Sequence, residues 1–351
     1  MEKTKAEQKQ DLKELALSIV RAQTNVYVKE LLRDHGIRIG ATKNDFDRNL
    51  LEAIDNEVLT KEHFEEWLQR VEGWGEQHVY AYQLTSQLVK DFGSEALARK
   101  RIEAAKLSKY WLKPTATTAN LNFNSDEELS LVSITYTDSL LFHWHKGTRY
   151  WVRSKAEEKY DKPREWIDGF EYEFRAHRGR AIREVMRFEV RPSDGLAAMF
   201  VPEPIHSKEH KEAYDLVRRT IDRVLSFSAL EKRRLAVGSI IKNLDQALTF
   251  DADAAEKIRP RSTRLRSGGA YVEFSALSQE GSYFDSPGVF RLRTALRTDE
   301  DLKVFEGATG AFRFGDQGRV ELFADDRRIR LWSSLTAAGV WSILRVLRDR
   351  Q

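Results

Sequence analysis

A chain of 351 residues with 41% apolar side chains is long enough for about two packed domains of ordinary size. Its 58 lysines and arginines nearly balance 55 aspartates and glutamates, and a formal charge of +3 is too mild by itself to mark a nucleic-acid binder. Cysteine is absent, which excludes a disulfide framework, a thiolate metal site and a cysteine nucleophile. The start, MEKTKAEQKQDLKEL, is charged throughout and lacks the apolar stretch of a signal peptide. No apolar run approaches the roughly 18 residues of a membrane span, so a soluble, cytoplasmic protein without a membrane partner is expected.

Residues 11 to 71 read as helices. LKELALSIVRA sets Leu12, Leu15, Ile19 and Val20 on one face, and TNVYVKELLRDH follows, ending at Gly36, a residue suited to the left-handed position that closes a helix. The loop GIRIGATK carries Ile37, Ile39 and a second glycine, Gly40. Thr42 is placed to cap KNDFDRNLLEAI, in which Phe46, Leu50 and Ile54 recur at four-residue steps. TKEHFEEWLQRVE begins at an N-cap, Thr60, and aligns Phe64, Trp67, Leu68 and Val71.

The order helix, glycine-bearing loop, helix from Lys29 to Leu51 resembles the SAP module, a small DNA-binding motif with the pattern E-L-x-x-x-G-L-x-x-S-G-x-K-x-x-L. Leu31, Leu32, Gly36, Ile37, Gly40, Lys43, Phe46 and Leu50 fill the matching positions. Gly40-Ala41 stands where the family has Ser-Gly, Phe46 replaces a leucine, and Asn49 stands where an arginine often follows. The resemblance implies DNA contact through Gly40, Ala41, Thr42 and Lys43, with backbone amides and the helix dipole holding a phosphate. Lys29, Arg33, Arg38, Lys43 and Arg48 would then form a basic edge, although residues 1 to 72 carry twelve basic and fifteen acidic side chains. In outline alone, a helical head before an α+β body is similar to the centromere protein N family. The head is assigned to residues 1–73 and the body to 74–351.

In the body, GWGEQHVYAYQL alternates His78, Tyr80 and Tyr82 against Val79, Ala81 and Gln83, the pattern of a strand. A helix around SEALARKRIEAAKLSKYWL leads into a turn-rich connector, PTATTANLNFNSD. Strands are expected near 129–137, 139–146 and 149–154, with Lys146-Gly147 as a hairpin turn. FEYEFRAHRGRAIREVMRFEVRP reads as a further pair folded at Arg178-Gly179. Residues 208–245 are helical, the second helix capped by Ser228, and GGAYVEFSALS returns to strand. GAFRFGDQGRVELFADDRRIRLWS is a meander turning at Gly315-Asp316 and Asp325-Asp326, and SLTAAGVWSILRVLRDR is a closing helix. Strands and helices without regular βαβ alternation give an α+β fold.

No phosphate-binding glycine motif follows a strand, and no GxSxG elbow is present. His143 and His145 form a possible metal pair, and Glu171, Glu173 and Glu189 a possible nuclease acid set. Neither has the remaining ligands or the lysine such chemistry needs, so no catalytic, metal or cofactor site is expected. The arginines are more suggestive. Six lie between Arg175 and Arg191, with Arg175, Arg187 and Arg191 expected to share a hairpin face with Arg178 and Arg180. RPRSTRLRS places Arg259, Arg261, Arg264 and Arg266 together without an acid, and Lys232, Arg233, Arg234, Arg327, Arg328 and Arg330 follow. Guanidinium forks match phosphate oxygens. Tyr172, Phe174, Tyr271 and Phe274 read as core first, with stacking on unpaired bases as the alternative. The expectation is a non-enzymatic DNA-binding protein that grips phosphates through the SAP-like loop and a basic face of the body. The alternatives are a protein-interaction subunit of a larger assembly and a metal-dependent nuclease.

Overall fold

The computed structural model describes residues 4–22, 25–71, 74, 76–112, 128–153, 155–202, 207–250, 257–267, 269–276, 286–299, 305–315, 318–332 and 335–351. The fold is α+β, with a helical N-terminal region ahead of a large antiparallel sheet. The chain divides into two compact units. One comprises Met1–Arg70, Thr117–Ser130 and Trp144–Val185; the other comprises Val71–Ala116, Leu131–His143 and Met186–Gln351. The predicted connector at 114–126 lies outside the described residues.

The head holds α1 (Lys5–Ala22), α2 (Asn25–Asp34), α3 (Lys43–Asp55) and α4 (Lys61–Val71). Their stripes bury Val28, Leu31 and Leu32 from α2, Phe46, Leu50 and Ile54 from α3, and Phe64, Trp67 and Leu68 from α4. The side chains of Leu15, Ile19 and Val20 lie outside the described residues. Gly36, at φ +64°, closes α2 with paired bonds: its own N–H to the Arg33 carbonyl (3.0 Å) and that of Ile37 to Leu32 (2.7 Å). Lys13 and Lys9 of α1 meet Asp55 at the end of α3, at 2.6 and 3.8 Å.

After the head come β1 (Gln77–Gln83), α5 (Ser86–Asp91), α6 (Glu95–Ala104), β2 (Ser130–Tyr136), β3 (Leu140–Val152), α7 (Lys155–Glu158), β4 (Lys162–Ile167), β5 (Phe170–Phe174), β6 (Arg178–Arg191) and β7 (Leu196–Pro202). They are followed by α8 (Ser207–Ile221), α9 (Phe227–Glu231), α10 (Val237–Phe250), β8 (Ile258–Ser267), β9 (Ala270–Ser275), α11 (Pro287–Thr298), β10 (Glu306–Phe314), β11 (Gly318–Phe323), β12 (Arg328–Leu331) and α12 (Ala337–Asp349).

Two hairpins expected from the sequence are not formed. Lys146-Gly147 lies within the uninterrupted β3, and Gly179 lies inside β6. The turn falls instead between β4 and β5 at Asp168-Gly169, both at positive φ (51° and 83°), the conformation a two-residue hairpin turn needs. Trp166, Ile167, Phe170 and Tyr172 of this hairpin are exposed. The cap of α9 is also shifted by two residues: Ser226, not Ser228, accepts from the Ala229 N–H, which lets Phe227 enter the core.

The large sheet runs β2-β3-β6-β7-β1-β12-β11-β10-β8-β9. Central β1 is buried on both faces. On one side Val79 and Ala81 join Phe200, Phe312, Val320, Leu322, Ile329 and Leu331 in a core closed by Ile240, Ile241 and Leu244 of α10 and Val340, Trp341, Leu344 and Leu347 of α12. Helix α10 lies so close that a Cβ on Gly307 would stand 2.5 Å from the Ile241 Cβ. On the other side Tyr80 and Tyr82 meet Tyr214 of α8 and Phe227 of α9 edge-to-face. The Tyr82 and Tyr214 hydroxyls lie 3.3 Å apart, Tyr214 donates to Glu231 (2.9 Å), and Arg234 donates to Glu231 (2.8 Å). Burial pushes the Tyr80 phenol up to about 12.

Arg293 of α11 and Asp245 of α10 form an ion pair with both side chains essentially inaccessible to water. Removing one member of such a pair strands a buried charge, whereas replacing both with apolar groups does not. Asp245→Leu is therefore expected to cost about 3–5 kcal/mol in denaturant unfolding, and adding Arg293→Met to restore most of that loss.

Candidate nucleic-acid interface

Strands β11 and β12 alternate between a buried and an outward face. In β11 and β12, Val320, Leu322, Ile329 and Leu331 point into the core, while Arg319, Glu321, Phe323, Arg328 and Arg330 point the other way. The ladders extend that outward face. Arg313 of β10 pairs with Arg319 of β11 on one side and Arg259 of β8 on the other. Three exposed arginines thus stand in one cross-strand row, with strands about 4.8 Å apart. Like charges in directly opposed positions destabilise a sheet. Among the described residues no carboxylate reaches Arg259 or Arg313, and Arg319 meets Glu321 at 2.5 Å.

Arg264 and Arg266 share this face. Arg264 donates to Glu273 of β9 (2.6 and 3.0 Å), and Arg266 meets Asp325 at 2.5 Å. The Arg328 Nε lies 3.0 Å from Asp326. Aromatic rings sit between the guanidinium groups. Arg264 lies over Tyr271 (4.8 Å to the ring centroid), Arg328 over Phe323 (4.5 Å), and both Arg330 (3.5 Å) and Arg319 (5.2 Å) over Trp332. Arg261 is the exception in its cluster. The β8–β10 register shifts between Ser262 and Pro260, leaving Arg261 as the extra, half-buried residue of a bulge.

The other predicted arginine cluster does not form a common face. Exposed Arg175 follows β5 and pairs with Glu173 (2.8 Å), Arg178 opens β6 with partners of its own, and the Arg180 side chain lies outside the described residues. Arg187 is 1% exposed, stacked on Trp74 (3.5 Å) and Phe200 (4.7 Å) and bonded to Gln77 (3.4 Å). The weakly hydrated, planar guanidinium makes that burial possible. Arg191 donates to the buried Glu189 (2.9 Å), which also accepts from the Ser139 hydroxyl (2.8 Å) and the Trp341 indole (3.0 Å). Glu189 is thus occupied as a structural acceptor, and β5, with Glu171 and Glu173, pairs with β4 rather than β6. His143 lies 3.4 Å from the Ser133 hydroxyl. His145 is buried, and desolvation, reinforced by Arg183, pushes its imidazole down to about 3. Among the described residues no three His, Asp or Glu gather as a metal site.

In the head, Thr42 caps α3 as expected, but the cap is a reciprocal box. Its hydroxyl accepts from the Asp45 N–H (3.2 Å), while the Asp45 carboxylate accepts from the Thr42 N–H (3.0 Å), the Thr42 hydroxyl (2.9 Å) and the Ala41 N–H (3.2 Å). Gly40 permits this approach, since a Cβ there would stand 2.0 Å from that of Asp45. The amides expected to cradle a phosphate thus already hold the chain's own carboxylate, and Arg48 is drawn to it at 2.9 Å. Arg33 and Arg38 remain exposed, Lys29 is half-buried, and the Lys43 side chain lies outside the described residues.

Arg313, Arg319 and Trp332 enter the site without having been singled out in the sequence. Arg313 and Arg319 are equidistant from the meander turn, a local signal sufficient to pair them. No protein-family model matches the chain, and no curated protein matches it in sequence.

The Thr42 hydrogen bonds hold Asp45 below its ordinary 3.8. The stability its carboxylate supplies is therefore complete above that pH and is lost as the pH falls further. Thr42→Ala is expected to weaken α3 by about 1 kcal/mol at neutral pH, read as faster amide exchange in its first turn, and to shrink that loss in acid.

Proposed function

We propose that this protein is a non-enzymatic DNA-binding protein that grips the phosphate backbone with the outward face of β8, β10, β11 and β12. The observation that carries this reading is the row Arg259–Arg313–Arg319. Like charges in register are unfavourable in a bare sheet; Glu321 offsets part of the charge at Arg319, and a polyanion offsets the repulsion that remains. Guanidinium forks suit phosphate oxygens, and contacts of this kind fix position on a strand without reading its sequence.

The test is fluorescence anisotropy with a labelled DNA across a salt series. The triple variant Arg259→Glu, Arg313→Glu, Arg319→Glu is expected to bind at least tenfold more weakly at low salt. Its log–log salt slope should be shallower by about 1 for each phosphate that the variant no longer neutralises. Parent-like binding by the triple variant would sink the reading.

A further inference from the structure

We infer that the strand held on this face is single, with unpaired bases stacking on its aromatic side chains. This inference rests on the backbone-grip reading and adds the form of nucleic acid. Width is the first argument. The face from β12 through β11, β10 and β8 to β9 spans four inter-strand gaps, about 19 Å. The major groove of duplex DNA is about 12 Å wide and admits a helix or a two-stranded ribbon. A five-stranded surface does not fit the major groove of an unbent duplex, so such a duplex would offer it phosphates alone.

The rings are the second argument. Tyr271 is 64% exposed on the edge strand β9, directly opposite Arg266 and beneath the guanidinium of Arg264 at 4.8 Å. Half-buried Phe323 and Trp332 repeat the arrangement with Arg328 and Arg330. Alternating rings and cations match the alternating bases and phosphates of a single strand, and a stack on an aromatic face tolerates any base. Within a duplex the bases already stack on one another, leaving Tyr271 no partner.

The test compares a labelled thymidine oligonucleotide, an abasic oligonucleotide of the same length, and a duplex, all at one salt concentration. The parent protein is expected to bind the thymidine strand at least fivefold more tightly than the abasic one and more tightly than the duplex. Tyr271→Leu, at an exposed site that should leave the melting temperature unchanged, is expected to weaken thymidine binding about fivefold and spare abasic binding. Equal affinity for thymidine and abasic strands, tighter duplex binding, or parent-like behaviour of Tyr271→Leu would each overturn the inference. If the Arg259, Arg313 and Arg319 dependence survived such a result, the backbone grip would stand without it. Failure to bind any of the three probes would overturn both.

Discussion

The burial of one face of the sheet under α10 and α12 is the constraint on which the arginine surface depends. Side chains in a strand alternate with a period of two, so a register slip of one residue would exchange Val320, Leu322, Ile329 and Leu331 for Arg319, Glu321, Arg328 and Arg330. Burying four such groups without partners is far more costly than any local distortion. The close approach of Gly307 to Ile241 fixes the same register from the helix side. Exposure of the arginines is in this sense a by-product of core packing. Their alignment into a row is not, because the core would accept any polar residue at position 259 or 313.

Electrostatics sets two groups of arginines in the body apart. Those at 187, 191, 234 and 293 are built into the interior, each matched by a carboxylate, an amide or an aromatic ring. On the outward face Arg264, Arg319 and Arg328 rest on rings and meet surface acids in water, where an ion pair is worth little and is easily exchanged for another anion. A near-neutral net charge therefore gives no sign of the row Arg259–Arg313–Arg319, which composition alone cannot reveal.

Legibility from sequence followed the distance over which a signal acts. The apolar stripes of the head, the Gly36 stop, the Thr42 cap and the meander of β10 to β12 depend on neighbours a few residues away and are readable. The lengths of β3 and β6 are not, because a Lys-Gly or Arg-Gly pair suits a turn equally well until a long partner strand holds it extended. The row through Arg259 needs β8 beside β10, a pairing across more than fifty residues that no local pattern specifies. Arg187 misleads for a different reason: arginine is usually a surface residue, and contacts such as those with Trp74, Phe200 and Gln77 make its burial tolerable. At the head the spacing Thr42-x-x-Asp45 is visible, and its meaning, an anion site already filled, depends on the absence of a side chain at Gly40.

The position of β1 also bears on how the chain is made. Its neighbours in the sheet are β7 and β12, and its His78 meets Arg328 across 250 residues of sequence. At a synthesis rate of 5–20 residues per second, β1 waits roughly 10–50 s for its last partner. Throughout that interval a strand destined to be buried on both faces has at least one open edge, and such edges recruit other chains. That edge stays open far longer than the head, whose helices close on near neighbours.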